Sequence, residues 1–229
     1  MATRPRKAAG RRDVPVFELS GGRPALDFAN TVDNRPTSRR KDLLRDYGDL
    51  AAWARQAGVV PEAGERALLA EAARRPAAAA RALARAVALR EALYRAFSKL
   101  SAGGAPAAAD LALLESEARL GAARGRLARE AGRYAWKSAA PARDLDRVLW
   151  TVVRDAVELL TSDRLALVRE CAAIDCGWLF TDESRNRSRV WCDMAVCGNR
   201  AKARRHYAKS RGRSRRPARS RRGPRPSRR

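Results

Sequence analysis

Four cysteines, Cys171, Cys176, Cys192 and Cys197, stand in the pattern C-x4-C-x15-C-x4-C and are the only cysteines of the 229-residue chain. Two thiol pairs separated by a spacer long enough for a hairpin can converge on one tetrahedral Zn²⁺, each sulfur about 2.3 Å from the ion. The alternatives are two disulfides or four separate buried thiols. Disulfides need an oxidising compartment, and nothing in the sequence is expected to direct export; unrelated buried thiols would not fall as two symmetric pairs. Zinc is therefore preferred. Four thiolates fill every coordination position and leave none for water or substrate, so the expected ion is one structural Zn²⁺ that adds directly to folding free energy. Arg189, Arg200 and Lys202 lie near enough in sequence to offset the negative charge of such a centre.

The elements that must position these thiols follow from local pattern. Leu165 to Cys171 alternates weakly and Gly177 to Thr181 is β-prone, which predicts a hairpin across the first pair. Asp193 to Lys209 reads as a helix with Cys197 in its first turns, so the module is treble-clef-like or zinc-ribbon-like. Trp178, Phe180 and Trp191 are expected to form its small core. On the helix, Asn199, Arg200 and Arg204 are the candidates for reading bases, because Arg matches guanine bidentately and Asn matches adenine. Lys202, Arg205 and Lys209 are assigned to phosphates, and Arg185, Arg187 and Arg189, in the loop between the knuckles, could reach the same backbone. An equally weighted alternative is that Asn199 and Arg200 serve the zinc knuckle by capping or packing. His206, the only histidine, is read as solvated or phosphate-facing rather than as a replacement for one of the four ligands.

Charge points to the same partner. With 49 Lys+Arg against 25 Asp+Glu the chain carries a formal +24, but residues 200–229 hold 15 of those cations and no acid, and residues 1–12 hold five and no acid. A body of 187 residues with a formal charge of only +4 remains between two basic ends. That design meets a polyanion: DNA first, RNA as the alternative, with an anionic membrane surface disfavoured. No run approaches about 18 apolar residues, so a cytoplasmic protein without membrane attachment is expected. The abundance of Arg and Ala within the body is discounted as a compositional bias.

Upstream, hydrophobic period predicts an extended run at Val14–Leu19 and a helix over Ala25–Val32. Further helices are expected at Tyr47–Ala57, capped by Asp46 and ended at Gly58, at Pro61–Arg74, at Ala77–Leu100, at Pro106–Leu120 and at Ala142–Leu160. A hairpin is expected around Gly132, over Arg126–Trp136. Arg23, Asp27, Asn30, Thr31 and Arg35 are polar groups beside an apolar face. They could line a pocket for a small-molecule effector of unknown identity; helix capping and a buried Asp–Arg pair are the preferred reading. No Ser/His/Asp set, phosphate loop or open metal site is present, so no enzyme is expected. If the protein reads a palindrome it should form a homodimer, through the helices at 77–100 and 142–160.

Three segments carry a family resemblance: Cys176-Gly-Trp-Leu-Phe-Thr-Asp182, Ser184-Arg-Asn-Arg-Ser-Arg-Val-Trp-Cys192 and Asp193-Met-Ala-Val-Cys-Gly-Asn-Arg-Ala-Lys202. They resemble the CGNR-type zinc finger, named for the run that is Cys197-Gly198-Asn199-Arg200 here. Gly22-Arg-Pro-Ala-Leu-Asp-Phe-Ala-Asn-Thr31 is similar to the start of the ABATE domain, which usually precedes that finger in bacterial stress-induced transcription regulators. The resemblance implies a zinc-stabilised DNA-binding module behind an N-terminal domain. The expected fold is mainly α with a small β component. It comprises a disordered basic arm (1–12), a helical domain (13–162), a zinc finger (163–209) and a disordered Arg-rich tail (210–229).

Overall fold

The computed structural model describes residues 13–214, with side chains to residue 208, so the arm expected at 1–12 and the tail from 215 lie outside the described residues. The chain is mainly α, with small sheets only, as expected. A short helix α1 (Pro24–Ala29) opens on a proline in its first turn, where the missing N–H costs nothing. It ends three residues earlier than the apolar period implies. Val32 instead joins β1 (Val32–Asp33), which pairs antiparallel with β2 (Lys41–Asp42). Helix α2 (Tyr47–Gln56) starts where Asp46 accepts from the N–H groups of Gly48 and Asp49. It stops before Gly58, whose φ of +69° is cheap only for glycine.

Helices α3 (Glu62–Arg74), α4 (Pro76–Ser101) and α5 (Ala108–Ala122) follow at the expected places. Strands β3 (Gly125–Glu130) and β4 (Arg133–Ser138) form the expected hairpin, with Leu127 opposite Trp136 and Arg129 opposite Tyr134. Helix α6 (Arg147–Leu160) begins five residues later than its apolar stripe predicts, because residues 141–146 form turns. Residues 14–20, read as an extended run, have no strand partner and no regular structure. Phe17 is nonetheless buried, and its N–H donates to Gln56 Oε1.

The core is one cluster built from α1, α2, α4 and α6. Phe28 and Trp53, both fully buried, meet at 4.8 Å between ring centroids with planes tilted by 56°. Each such side chain stabilises the fold by roughly 1.5–3 kcal/mol relative to exposure. Leu89, Leu93 and Phe97 of α4 and Leu149, Val152 and Val153 of α6 lie in the same cluster. Both long helices thus spend most of their apolar faces internally.

A 3₁₀ turn (Asp163–Leu167), not foreseen from the sequence, leads into β5 (Val168–Glu170), paired antiparallel with β6 (Leu179–Thr181). The compositional change at residue 164 is not a break in packing, because one compact unit runs through Cys192. A second unit, from Asp193, comprises a π-helical turn (Met194–Gly198) and α7 (Asn199–Ser214). The expected helix over 193–209 is therefore π-turned at Cys197 and extends to Ser214, so residues 210–214 are helical where disorder is expected.

Candidate zinc centre

The hairpin β5–β6 exists to present the first cysteine pair. Cys171 follows β5 directly and its N–H donates to the Trp178 carbonyl at 2.8 Å, closing the loop 171–178 at its base. Within the loop the Cys176 N–H donates to the Ala173 carbonyl at 3.0 Å. Gly177 turns the chain back with φ of +72°, at a point where a Cβ would stand 3.2 Å from the Tyr94 hydroxyl. Ala172 N–H donates to the Val190 carbonyl, which brings the chain before Cys192 alongside the loop.

The helical body grips this hairpin. Asn30 acts as a one-residue strand: its Nδ2 donates to the Leu179 carbonyl and its Oδ1 accepts from the Leu179 N–H, both at 2.8 Å and both buried. Trp178 Nε1 donates to the Val32 carbonyl and the Thr181 N–H donates to the Gly21 carbonyl, each at 3.0 Å. From α4, Tyr94 Oη and Ser98 Oγ donate to the two carboxylate oxygens of Glu170, the residue before Cys171, at 3.2 and 2.5 Å.

The four cysteines are all buried, and their Sγ atoms all lie within 4.8 Å of one another. Cys176 and Cys192 are 3.6 Å apart. A tetrahedron with Zn–S of about 2.3 Å has edges of about 3.8 Å, so the donor set fits a tetrahedral tetrathiolate centre. The thiols themselves show why a cation belongs there. Hydrogen bonds from Cys176 and Cys192 stabilise a thiolate at Cys171 and hold it well below the usual thiol range, and that same thiolate pushes Cys176 and Cys192 upward. Only a cation lets the remaining thiols release their protons together.

The surroundings supply the compensating positive charge. In the second unit, Arg200 Nη2 reaches Cys197 Sγ at 3.1 Å, and Asp193 caps the turn by accepting from the Val196 N–H. In the first unit, Arg189 stacks on Phe180 at 4.5 Å and donates from Nε to the Trp191 carbonyl at 2.9 Å and from Nη2 to the Cys192 carbonyl. Asp182 organises the intervening loop, accepting from Ser184 N–H and Oγ and from the Arg189 N–H. The Ser184 hydroxyl, helped by the two N–H groups, holds its carboxyl below the usual range.

The other sequence-derived residues divide clearly. Arg185 and Arg187 are exposed in the loop, while Arg189 is half-buried and donates to two main-chain carbonyls. Asn199 and Arg200 are both exposed; Asn199 Nδ2 donates to the Ala195 carbonyl and Arg200 to a ligand sulfur, contacts that fit the knuckle role weighed beside base reading. Lys202 and Arg205 are exposed and Arg204 is half-buried; the Lys209 side chain lies outside the described residues. His206 is exposed and edge-on to Tyr207. Trp178 and Phe180 are buried and Trp191 half-buried, as a module core requires.

Each polar residue of the N-terminal motif has an internal partner. Arg23 pairs with Asp155 at 2.5 Å, not with Asp27, and the other Asp155 oxygen accepts from the Ala25 N–H. Asp27 accepts from the Gly21 N–H at 2.7 Å, and burial raises its carboxyl to about 6. Thr31 donates to the Phe28 carbonyl, and Arg35 pairs with Glu91 at 2.8 Å while lying over Tyr94 at 3.9 Å. None of the five lines the cavity walled by α5, α6 and β3–β4 or the one beside Asp146. The sequence reading misses Glu170, Asp182 and Asp193. Asp182 and Asp193 carry a readable signal, an Asp two or three residues ahead of the N–H it caps; Glu170 carries none.

Comparison with protein families decides the lineage. Residues 22–163 match the ABATE model, described as Putative stress-induced transcription regulator. The chain belongs to the ABATE family. Residues 168–210 match the CGNR zinc finger, so this ABATE protein carries the finger whose four cysteines form the cluster and hold one structural zinc ion. No curated protein matches it in sequence. Among its described residues no helix is long and apolar enough to cross a membrane.

Proposed function

We propose that this protein is a cytoplasmic, zinc-dependent DNA-binding regulator of transcription and not an enzyme, with α7 as its principal DNA-contacting element. The observation that carries the reading is the helix itself. Asn199–Ser214 holds seven Lys/Arg and no acid, follows directly on the turn that carries the ligand Cys197, and exposes Lys202 and Arg205. Sixteen residues span about 24 Å, enough to cross a major groove about 12 Å wide. Zinc fixes the first turn of a helix that its own like charges would otherwise destabilise. Arg185 and Arg187 add sequence-independent phosphate contacts.

The test is binding of the zinc-loaded protein to random-sequence duplex DNA and to structured RNA across a salt series, with sequence selection on the bound DNA. A chain ending at Ser214 serves as the tail control, because α7 runs that far. An enriched DNA motif that survives truncation is the expected result. Purely salt-driven binding that vanishes with the tail, or preference for structured RNA, overturns the reading.

A further inference from the structure

We propose that the cavity walled by α5, α6 and the β3–β4 hairpin binds a small planar organic carboxylate. The cavity has a volume of about 410 Å³, within the range of small-molecule sites. Two indoles shape it, and two glycines admit them. A Cβ on Gly125 would fall 2.0 Å from Trp136 Nε1, and one on Gly121 would fall 3.0 Å from the Trp150 Cβ, so each indole lies against bare backbone. Trp150, one of the lining residues, is more than nine-tenths buried, and its Nε1 has no hydrogen-bond partner. A buried indole N–H normally finds a partner.

The charge of the wall selects the ligand. Lys137, Arg147 and Arg154 line the cavity, and no Asp or Glu does. Lys137 is held by Glu130 at 2.6 Å, and Arg154 donates to the Trp136 carbonyl at 2.7 Å. Arg147 makes only a long bond, 3.5 Å to the Ala140 carbonyl, and its planar fork suits a carboxylate bidentately. The neighbouring cavity of about 460 Å³ differs in its lining: Glu71, Asp144 and Asp146 stand there beside five arginines and pair with Arg75, Arg124 and Arg85. An aromatic body between the indoles with its carboxylate on Arg147 satisfies the apolar walls and the free cation together. As the effector site of a regulator the cavity rests on the function proposed above; as a binding site it does not.

The experiment is calorimetric titration of the zinc-loaded full chain with 2-naphthoate, without nucleic acid, and with 2-naphthalenemethanol as the uncharged isostere. Saturable one-to-one binding of naphthoate is expected, tighter than that of the alcohol. Arg147→Gln should weaken naphthoate about tenfold or more and leave the alcohol unchanged. Arg147→Lys, which keeps the charge but not the fork, should fall between. Ala118→Phe, which fills the cavity, should abolish both at an unchanged Tm. Absence of saturation into the millimolar range, equal affinity for the alcohol, or indifference to Arg147→Gln overturns the proposal, whatever the DNA-binding result.

Discussion

Replacing Asn30 by Ala tests whether the helical body holds the zinc hairpin through a single side chain. Asn30 is 3 % exposed, and its amide satisfies both main-chain groups of Leu179 on a buried strand. Alanine leaves an N–H and a C=O without partners where water does not reach. Each orphaned group costs about 1–3 kcal/mol, so the expected loss is about 2–6 kcal/mol, a large share of the 5–15 kcal/mol typical of a domain. Thr31→Ala is the control: its hydroxyl makes one bond, to the Phe28 carbonyl, and about 1 kcal/mol is expected. Urea unfolding followed by tryptophan fluorescence measures both. Because Leu179 leads directly from the loop that carries Cys171 and Cys176, Asn30→Ala should also speed zinc transfer to a chromophoric chelator, and Thr31→Ala should not. A loss below about 0.5 kcal/mol with unchanged zinc release would refute the argument, since the hairpin would then be held by its zinc alone.

Asp27 gives a pH signature. Its folded carboxyl titrates near 6 against 3.8 for the free group, so the folded state takes up the proton more readily. Its contribution is fully present below pH 4 and is lost as pH rises through about 6, an order of 3 kcal/mol in all. Asp27→Asn should therefore be more stable than wild type at pH 7.5, with the difference in Tm shrinking towards pH 5.5; a difference independent of pH would contradict the burial argument. Arg200 and Lys202 should separate two roles two residues apart. Arg200→Gln, which removes a donor from Cys197, should accelerate zinc release, whereas Lys202→Gln should leave zinc untouched and flatten the salt dependence of DNA binding by about one contact.

How far the sequence reaches depends on the range of the interaction. The helices follow from period and punctuation that act within a few residues: Asp46 ahead of α2, Gly58 behind it, the i, i+3, i+4 stripe of α4. The zinc site is equally legible, because four thiols in two spaced pairs have few other uses. What is not legible is every contact between distant segments. Asn30 and Leu179 are 149 residues apart, and Asn30 gives the same local signal whether it lines a pocket, caps a helix or mimics a strand. The N-terminal polar set misleads for that reason: polar groups beside an apolar face are as well explained by internal partners such as Asp155 and Glu91 as by a ligand. The cavity that does exist gathers Gly121, Trp136 and Arg147 from three elements, and no window of sequence contains it.

The arginines of the body and those of α7 are the same residue in two states, and the difference is measurable. In the body, Arg23, Arg35, Arg85, Arg90 and Arg95 each end on a carboxylate, which is how a chain of formal +24 keeps 187 residues near neutral. Paired cations release no counterions when DNA arrives. The sequence of α7 holds seven cations and Arg200 belongs to the zinc centre, so at most six, joined by Arg185 and Arg187, can meet phosphates. At about 0.9 counterions per phosphate, these eight contacts give a log–log salt slope no steeper than about −7 for a chain spanning residues 13–214, from which both basic ends are removed. A steeper slope would mean that cations of the body join the contact; Arg90→Met, which removes the cation of one ion pair, changes the slope only if that pair opens on binding, and with DNA on α7 and the loop alone it leaves the slope where it was.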